Sequence, residues 1–208
     1  TKAVPSVGNT KRKEKNPLTL REMEKLKKEL IKKEEWQKLA YLTFTYSTGC
    51  RREESRQLKK EVAFYEKYRN PKGEQKNYYV THDIRAKGKG KQGKVRKFQF
   101  DEESMQYIKK WIEVRGEDDN ESLFVIKTKE GKVSQVSAST FNTWCEQFTE
   151  ILGKKVHPHL LRSSRATNSV VEEGKDIKAV QQLLGHESSS TTEIYIVKEN
   201  DNVIDELF

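Results

Sequence analysis

Apolar residues recur at helical spacing along most of the chain. Thr19 opens the first helix. Glu22 three residues later completes a capping box, Leu18 and Met23 form a hydrophobic staple, and Leu20, Met23, Leu26 and Leu30 keep helical spacing. A second helix carries Trp36, Leu39, Ala40, Leu42, Thr43 and Tyr46 and stops at Gly49. A third, short helix runs from about Arg51 to Lys60. The period then changes. Tyr78 to Ile84 is rich in strand formers, and Lys94 to Phe100 alternates, so the two predict an antiparallel pair. Between them Lys87-Gly88-Lys89-Gly90-Lys91-Gln92-Gly93 reads as a basic, glycine-punctuated hairpin tip.

Helical spacing returns after Asp101, a predicted N-cap, with Met105, Ile108, Trp111 and Ile112 on one stripe. Leu123 to Ile126 is a short buried stretch. Ser137 or Ser139 caps a helix bearing Phe141, Trp144, Phe148 and Ile151, closed by Gly153. Pro158 starts the next helix, which Gly174 ends; Asp176 caps another, with Ile177, Val180, Leu183 and Leu184 inward and Gly185 at its end. There are no internal repeats. The expected fold is mainly α with a small antiparallel β-sheet or hairpin, an α+β class. Residues 1–17 hold Pro, Gly, Ser and a Lys/Arg run but few apolar residues. They read as an interdomain linker, leaving 18–208 as the folded domain; a start at Thr1 without Met suggests that a partner domain preceded it.

Composition narrows the function. Lys+Arg number 41 against 32 Asp+Glu, a net charge of +9, which favours a polyanionic partner over a neutral one. Cys50 and Cys145 make no disulfide framework, and no apolar run suits a membrane span or signal peptide, so a cytoplasmic location is expected. His82, His157, His159 and His186 lack a metal-ligand pattern, and no Walker loop or dinucleotide fingerprint occurs; neither metal nor cofactor is expected.

Several small groups could carry chemistry. Arg51 and Glu54 are three apart at a helix start. His159 and Arg162 share a helix face in Pro158-His159-Leu160-Leu161-Arg162. His186 follows the helix-ending Gly185, and Tyr195 follows the hydroxyl-rich run Ser188 to Thr192. Each alone has a bland account: a surface ion pair, an amphipathic helix, a C-cap, a packing tyrosine.

Their order and spacing are more specific. Thr-Gly-x-Arg-x-x-Glu, a Lys-bearing hairpin, Pro-His-x-x-Arg, Leu-Gly-His and Thr-Thr-x-x-Tyr, from Thr48 to Tyr195, together closely resemble the tyrosine recombinase (phage-type integrase) family. The resemblance implies that family's catalytic-domain fold. It implies that Arg51 and Arg162 are catalytic arginines, His159 and His186 pocket histidines, and Tyr195 the nucleophile. The family's hairpin lysine falls on Lys89 in a Lys-x-Lys-x-x-Lys-x-Arg alignment and on Lys91 with a shorter turn. Lys87, Lys91, Lys94 and Arg96 are then expected to contact the phosphate backbone. Ser163, Arg165 and Lys97-Phe98-Gln99 depart from the family pattern without removing a catalytic group.

The resemblance implies metal-independent DNA breaking and rejoining at specific recombination sites, through a 3′-phosphotyrosyl link. The setting would be a bacterial or phage element, with a homotetramer on double-stranded DNA and the fragment alone compatible with a monomer. A non-catalytic DNA-binding repressor and a type IB topoisomerase-like enzyme are the alternatives. The tail, Val203 to Phe208, is amphipathic and suits docking on a neighbouring protomer or packing on its own domain.

Overall fold

The computed structural model describes residues 16–88, 93–169, 177–184 and 207–208. Most of the expected linker therefore lies outside the described residues, as do Gly174, Asp176, Gly185, Lys89, Lys91, His186 and Tyr195.

The helices follow their local signals. Helix α1 (Leu20–Lys32) begins with Thr19 and Glu22 capping reciprocally, as the spacing predicts. Helix α2 (Trp36–Thr48) ends at Gly49, whose φ of 66° is the left-handed conformation that glycine adopts without penalty. α2 is buried on nearly every face and forms the axis of the domain, packed by α1 and by α4 (Glu102–Arg115) and α6 (Pro158–Thr167). Tyr41 on α2 stacks on Phe141 of α5 (Ala138–Leu152) at 4.3 Å and meets Phe124 and Trp144 edge-on, so aromatic packing closes the centre.

Helix α3 (Arg52–Arg56) is shorter than the spacing predicts, with Gln57 as its C-cap. The chain continues as a 3-10 turn over Lys60–Phe64. Gln57 explains the break: its amide accepts from Arg85 N–H at 2.9 Å and donates to Arg85 O at 2.8 Å, which ties the end of α3 to a strand edge.

The expected antiparallel pair is present but divided. Strand β1 (Tyr79–Val80) pairs with β4 (Gln99–Phe100), and β2 (Ile84–Ala86) pairs with β3 (Lys94–Arg96). Between the two ladders Thr81 bonds both the N–H and the carbonyl of Phe98. A further hairpin, β5 (Val125–Lys127) with β6 (Val133–Gln135), takes in only part of the apolar stretch at Leu123–Ile126; its second strand has no apolar alternation to mark it.

Helix α7 (Ile177–Leu184) packs with α6, and its Ala179, Val180, Leu183 and Leu184 bury a small second cluster with Tyr78. Leu207 joins this cluster and Phe208 packs against it, Phe208 lying 5.4 Å from the Tyr78 ring. These two tail residues thus pack on their own domain. Arg165 lies 5.9 Å from the Tyr46 ring and 6.0 Å from the Phe208 ring and donates to Leu207 O at 3.2 Å.

Candidate active site

Four separate segments meet at one cleft of about 790 Å³. The turn after α2 contributes Cys50 and Arg51, and Arg52 opens α3. The first turns of α6 contribute His157, His159 and Arg162, and strand β2 with the residue after it contributes Arg85 and Lys87. Asn142 of α5 completes one wall.

Arg51 is the N-cap of α3, and buried Glu54 holds it twice. The Glu54 carboxylate accepts from the Arg51 backbone N–H at 2.7 Å and from its Nη1 at 3.3 Å. The backbone bond fixes where the side chain starts, and the ion pair fixes its direction. Arg51 remains 45% exposed at its side chain, so charge is available to a ligand in the cleft.

Arg162 is the opposite case. It is only 3% exposed, and its guanidinium is set by main-chain carbonyls on both sides: Nη1 donates to Gly49 O and Nη2 to Leu184 O, the latter at 2.7 Å. Burial, and then the neighbouring Arg51 charge, push its pKa down to about 10, which still leaves a full cation at neutral pH. Its fork is therefore held in one fixed orientation at the cleft. Burial pushes the adjacent Cys50 thiol far up, so this cysteine is a neutral packing group.

His157 is a site residue that spacing alone did not single out. It caps α6, its Nδ1 accepting from Leu160 N–H at 3.2 Å, and its ring lies parallel to that of His159 at 6.4 Å. Arg52, Arg85 and Asn142 were also not singled out. Arg52 donates to Asn142 at 3.1 Å, a contact between residues 90 apart that no local pattern announces. A position two before His159, just ahead of the helix-starting Pro158, was the available signal for His157.

The residues expected to meet DNA divide. Lys87 lines the cleft, and Lys94 follows on the facing strand. Arg96 turns inward: its guanidinium covers the Phe98 ring at 4.0 Å and donates to Leu183 O at 3.0 Å. Among the described residues no group of His, Cys, Asp and Glu is placed to hold a metal ion, and no helix is long and apolar enough to cross a membrane.

A mainly helical domain with small antiparallel sheets and this paired-arginine cleft has the tyrosine recombinase catalytic-domain fold. The phage integrase family matches residues 16–201, and the chain belongs to that family. The SPbeta prophage-derived recombinase-like protein YomM of Bacillus subtilis (strain 168) is 29% identical over 195 residues, covering 93% of this chain and 56% of that protein. Tyrosine recombinase XerA of Pyrococcus furiosus is 34% identical over 178 residues, covering 86% and 56%. A crystal structure of XerA recombinase matches with a TM-score of 0.61 at 26% identity, covering 92% of this chain and 63% of that one. XerH site-specific recombinase bound to difH substrate matches in fold, with a TM-score of 0.59 at 23% identity, over 83% and 47%. The chain spans little more than half the length of these two curated relatives.

Proposed function

We propose that this chain is the catalytic domain of a site-specific DNA recombinase that breaks and rejoins strands through Tyr195. The observation that carries the reading is the convergence of Arg51, His159 and Arg162 on one cleft, beside Lys87, from three separate elements. A scissile phosphate gains negative charge as it is attacked, and two fixed guanidiniums are suited to meet its non-bridging oxygens.

In this reading the Tyr195 oxygen bonds to phosphorus as the bond to the 5′ oxygen breaks. The phenolic proton passes out with assistance from His159, and the 5′ oxygen takes a proton from Lys89, or from Lys91 in the shorter-turn alignment. His186 donates a hydrogen bond to the phosphate. The 5′ hydroxyl of a second strand then reverses the step. A phenol, with a pKa of about 10, is a good enough leaving group for this without ATP. Lys87, Lys91 and Lys94 hold the backbone of double-stranded DNA. Exchange between two duplexes takes four cleavages, hence four chains on the DNA, in the cytoplasm of a bacterial host.

The test uses the full-length protein and nicked fragments of the genome that encodes it. A nick beside the cleavage point lets the 5′ end diffuse away and traps the covalent adduct. A denaturant-resistant protein–DNA adduct is expected, and it disappears in Tyr195→Phe. No adduct, or one that survives that substitution, refutes the reading. Pairwise joining of duplexes distinguishes a recombinase from a topoisomerase, and binding without any adduct identifies a repressor.

A further inference from the structure

The last carbonyls of a helix have no partner within it, and they carry the negative end of its dipole. At the end of α7 two arginines from different parts of the chain take adjacent carbonyls. Arg96 of β3 donates to Leu183 O at 3.0 Å, and Arg162 of α6 donates to Leu184 O at 2.7 Å. Neither arrangement is loose. The Arg96 guanidinium rests on the ring of Phe98, which is fully buried and tied through its backbone to Thr81. The Leu184 side chain occupies the space beside Gly49 that any Cβ there would need, and Gly49 O accepts the other arm of Arg162.

We propose that Arg96 is a positioning residue for Arg162, acting through the last turn of α7, rather than a phosphate ligand. This rests on the recombinase reading above. The contacts form one chain: the hairpin platform Phe98, Arg96, the end of α7, Arg162, Gly49. A DNA contact at Lys87, on the same hairpin, would thereby bear on the helix end that orients the arginine fork. The residue type fits. Only a planar guanidinium can lie flat on a ring and still send an in-plane N–H to a carbonyl; a lysine ammonium offers charge without that plane. The neighbouring Arg96 charge also contributes to holding the Arg162 pKa down, which places the two guanidiniums in one electrostatic neighbourhood.

The two roles for Arg96 predict different measurements in the full-length protein, on a duplex recovered from the trapping experiment. A phosphate ligand lost in Arg96→Gln weakens binding and makes the salt dependence of log Kd shallower by about one, with saturating cleavage intact. A positioning residue lost leaves affinity within about twofold and the salt slope unchanged, while saturating single-turnover cleavage falls roughly 10- to 100-fold.

Two further measurements separate positioning from general damage. Arg96→Lys, which keeps the charge and stem, shows the same cleavage loss. In the free protein, hydrogen exchange of a peptide covering 177–184 speeds up in both variants but not in Lys87→Gln. Shallower salt dependence with normal cleavage, full rescue by Arg96→Lys, or unchanged exchange at 177–184 each overturns the proposal. Absence of adduct from the unsubstituted protein is instead the failure of the recombinase reading.

Discussion

Gly49→Ala places a methyl group where the end of α7 already sits. The backbone at Gly49 has φ 66° and ψ 22°, and an L-residue there costs about 1–2 kcal/mol. A Cβ built on that backbone overlaps Leu184 Cδ2 and lies 3.3 Å from Leu184 Cγ. Forcing the Leu184 side chain aside costs about 1–3 kcal/mol as overpacking. Alanine also lowers the entropy of the unfolded chain, which offsets about 0.4–1 kcal/mol. The net loss is about 2–4 kcal/mol, a melting temperature lower by roughly 4–16 °C in a chain of this size.

Gly153 supplies the control. It ends α5 with φ 65° and ψ 23°, nearly the same backbone, and a Cβ there meets nothing within 4 Å. Gly153→Ala therefore carries the backbone penalty without the clash. Thermal denaturation followed by circular dichroism should show Gly49→Ala the less stable of the two. Gly49→Ala should also lose cleavage well beyond its loss of folded protein, because both carbonyls that hold Arg162 belong to the displaced pair, Gly49 and Leu184. Equal melting temperatures for the two variants, with normal cleavage in both, would refute the claim that Gly49 and Leu184 jointly set the arginine.

Removing the Glu54 carboxylate in Glu54→Ala should cost about 1–3 kcal/mol in denaturant unfolding, since it strands the Arg51 N–H, and it should also slow cleavage; Glu54→Gln, which keeps an acceptor, should lose less. His157→Ala should lose the α6 cap and about 0.5–2 kcal/mol, and His157→Asn should recover most of it; equal melting temperatures for the two would exclude a capping role. The Arg115 fork holds the Asp118 carboxyl at about 2, below its ordinary value, so its contribution is present above about pH 4 and is lost as pH falls towards 2. The melting-temperature gap between the unsubstituted chain and Asp118→Asn should accordingly be widest above pH 4 and close near pH 2. A substrate with sulfur at the 5′ bridging position leaves as a thiolate, of pKa about 8.5, and needs no proton donor. It should restore cleavage to Lys89→Ala if Lys89 protonates the leaving oxygen, and to Lys91→Ala if Lys91 does.

Much of this molecule was legible before folding was considered. The capping box at Thr19, the stop at Gly49, the cap at Asp101 and the start at Pro158 are contacts between residues a few positions apart, so local chemistry sets them wherever the chain lies. Arg51, His159 and Arg162 stood out only through the family resemblance of their ordered motifs, since helical spacing alone left each with a bland account; the fold brings the three to one cleft. What needed the folded chain is what joins distant residues. The early end of α3 depends on Gln57 finding a strand edge 28 residues away. The second strand of the β5–β6 hairpin is held by partners, not by its own apolar residues. Arg96 looks like any other basic residue of the hairpin until Phe98 and the end of α7 are placed against it. Charge and period are properties of a segment, whereas the direction of a long side chain is set by whichever ring, carbonyl or carboxylate the fold brings within its reach.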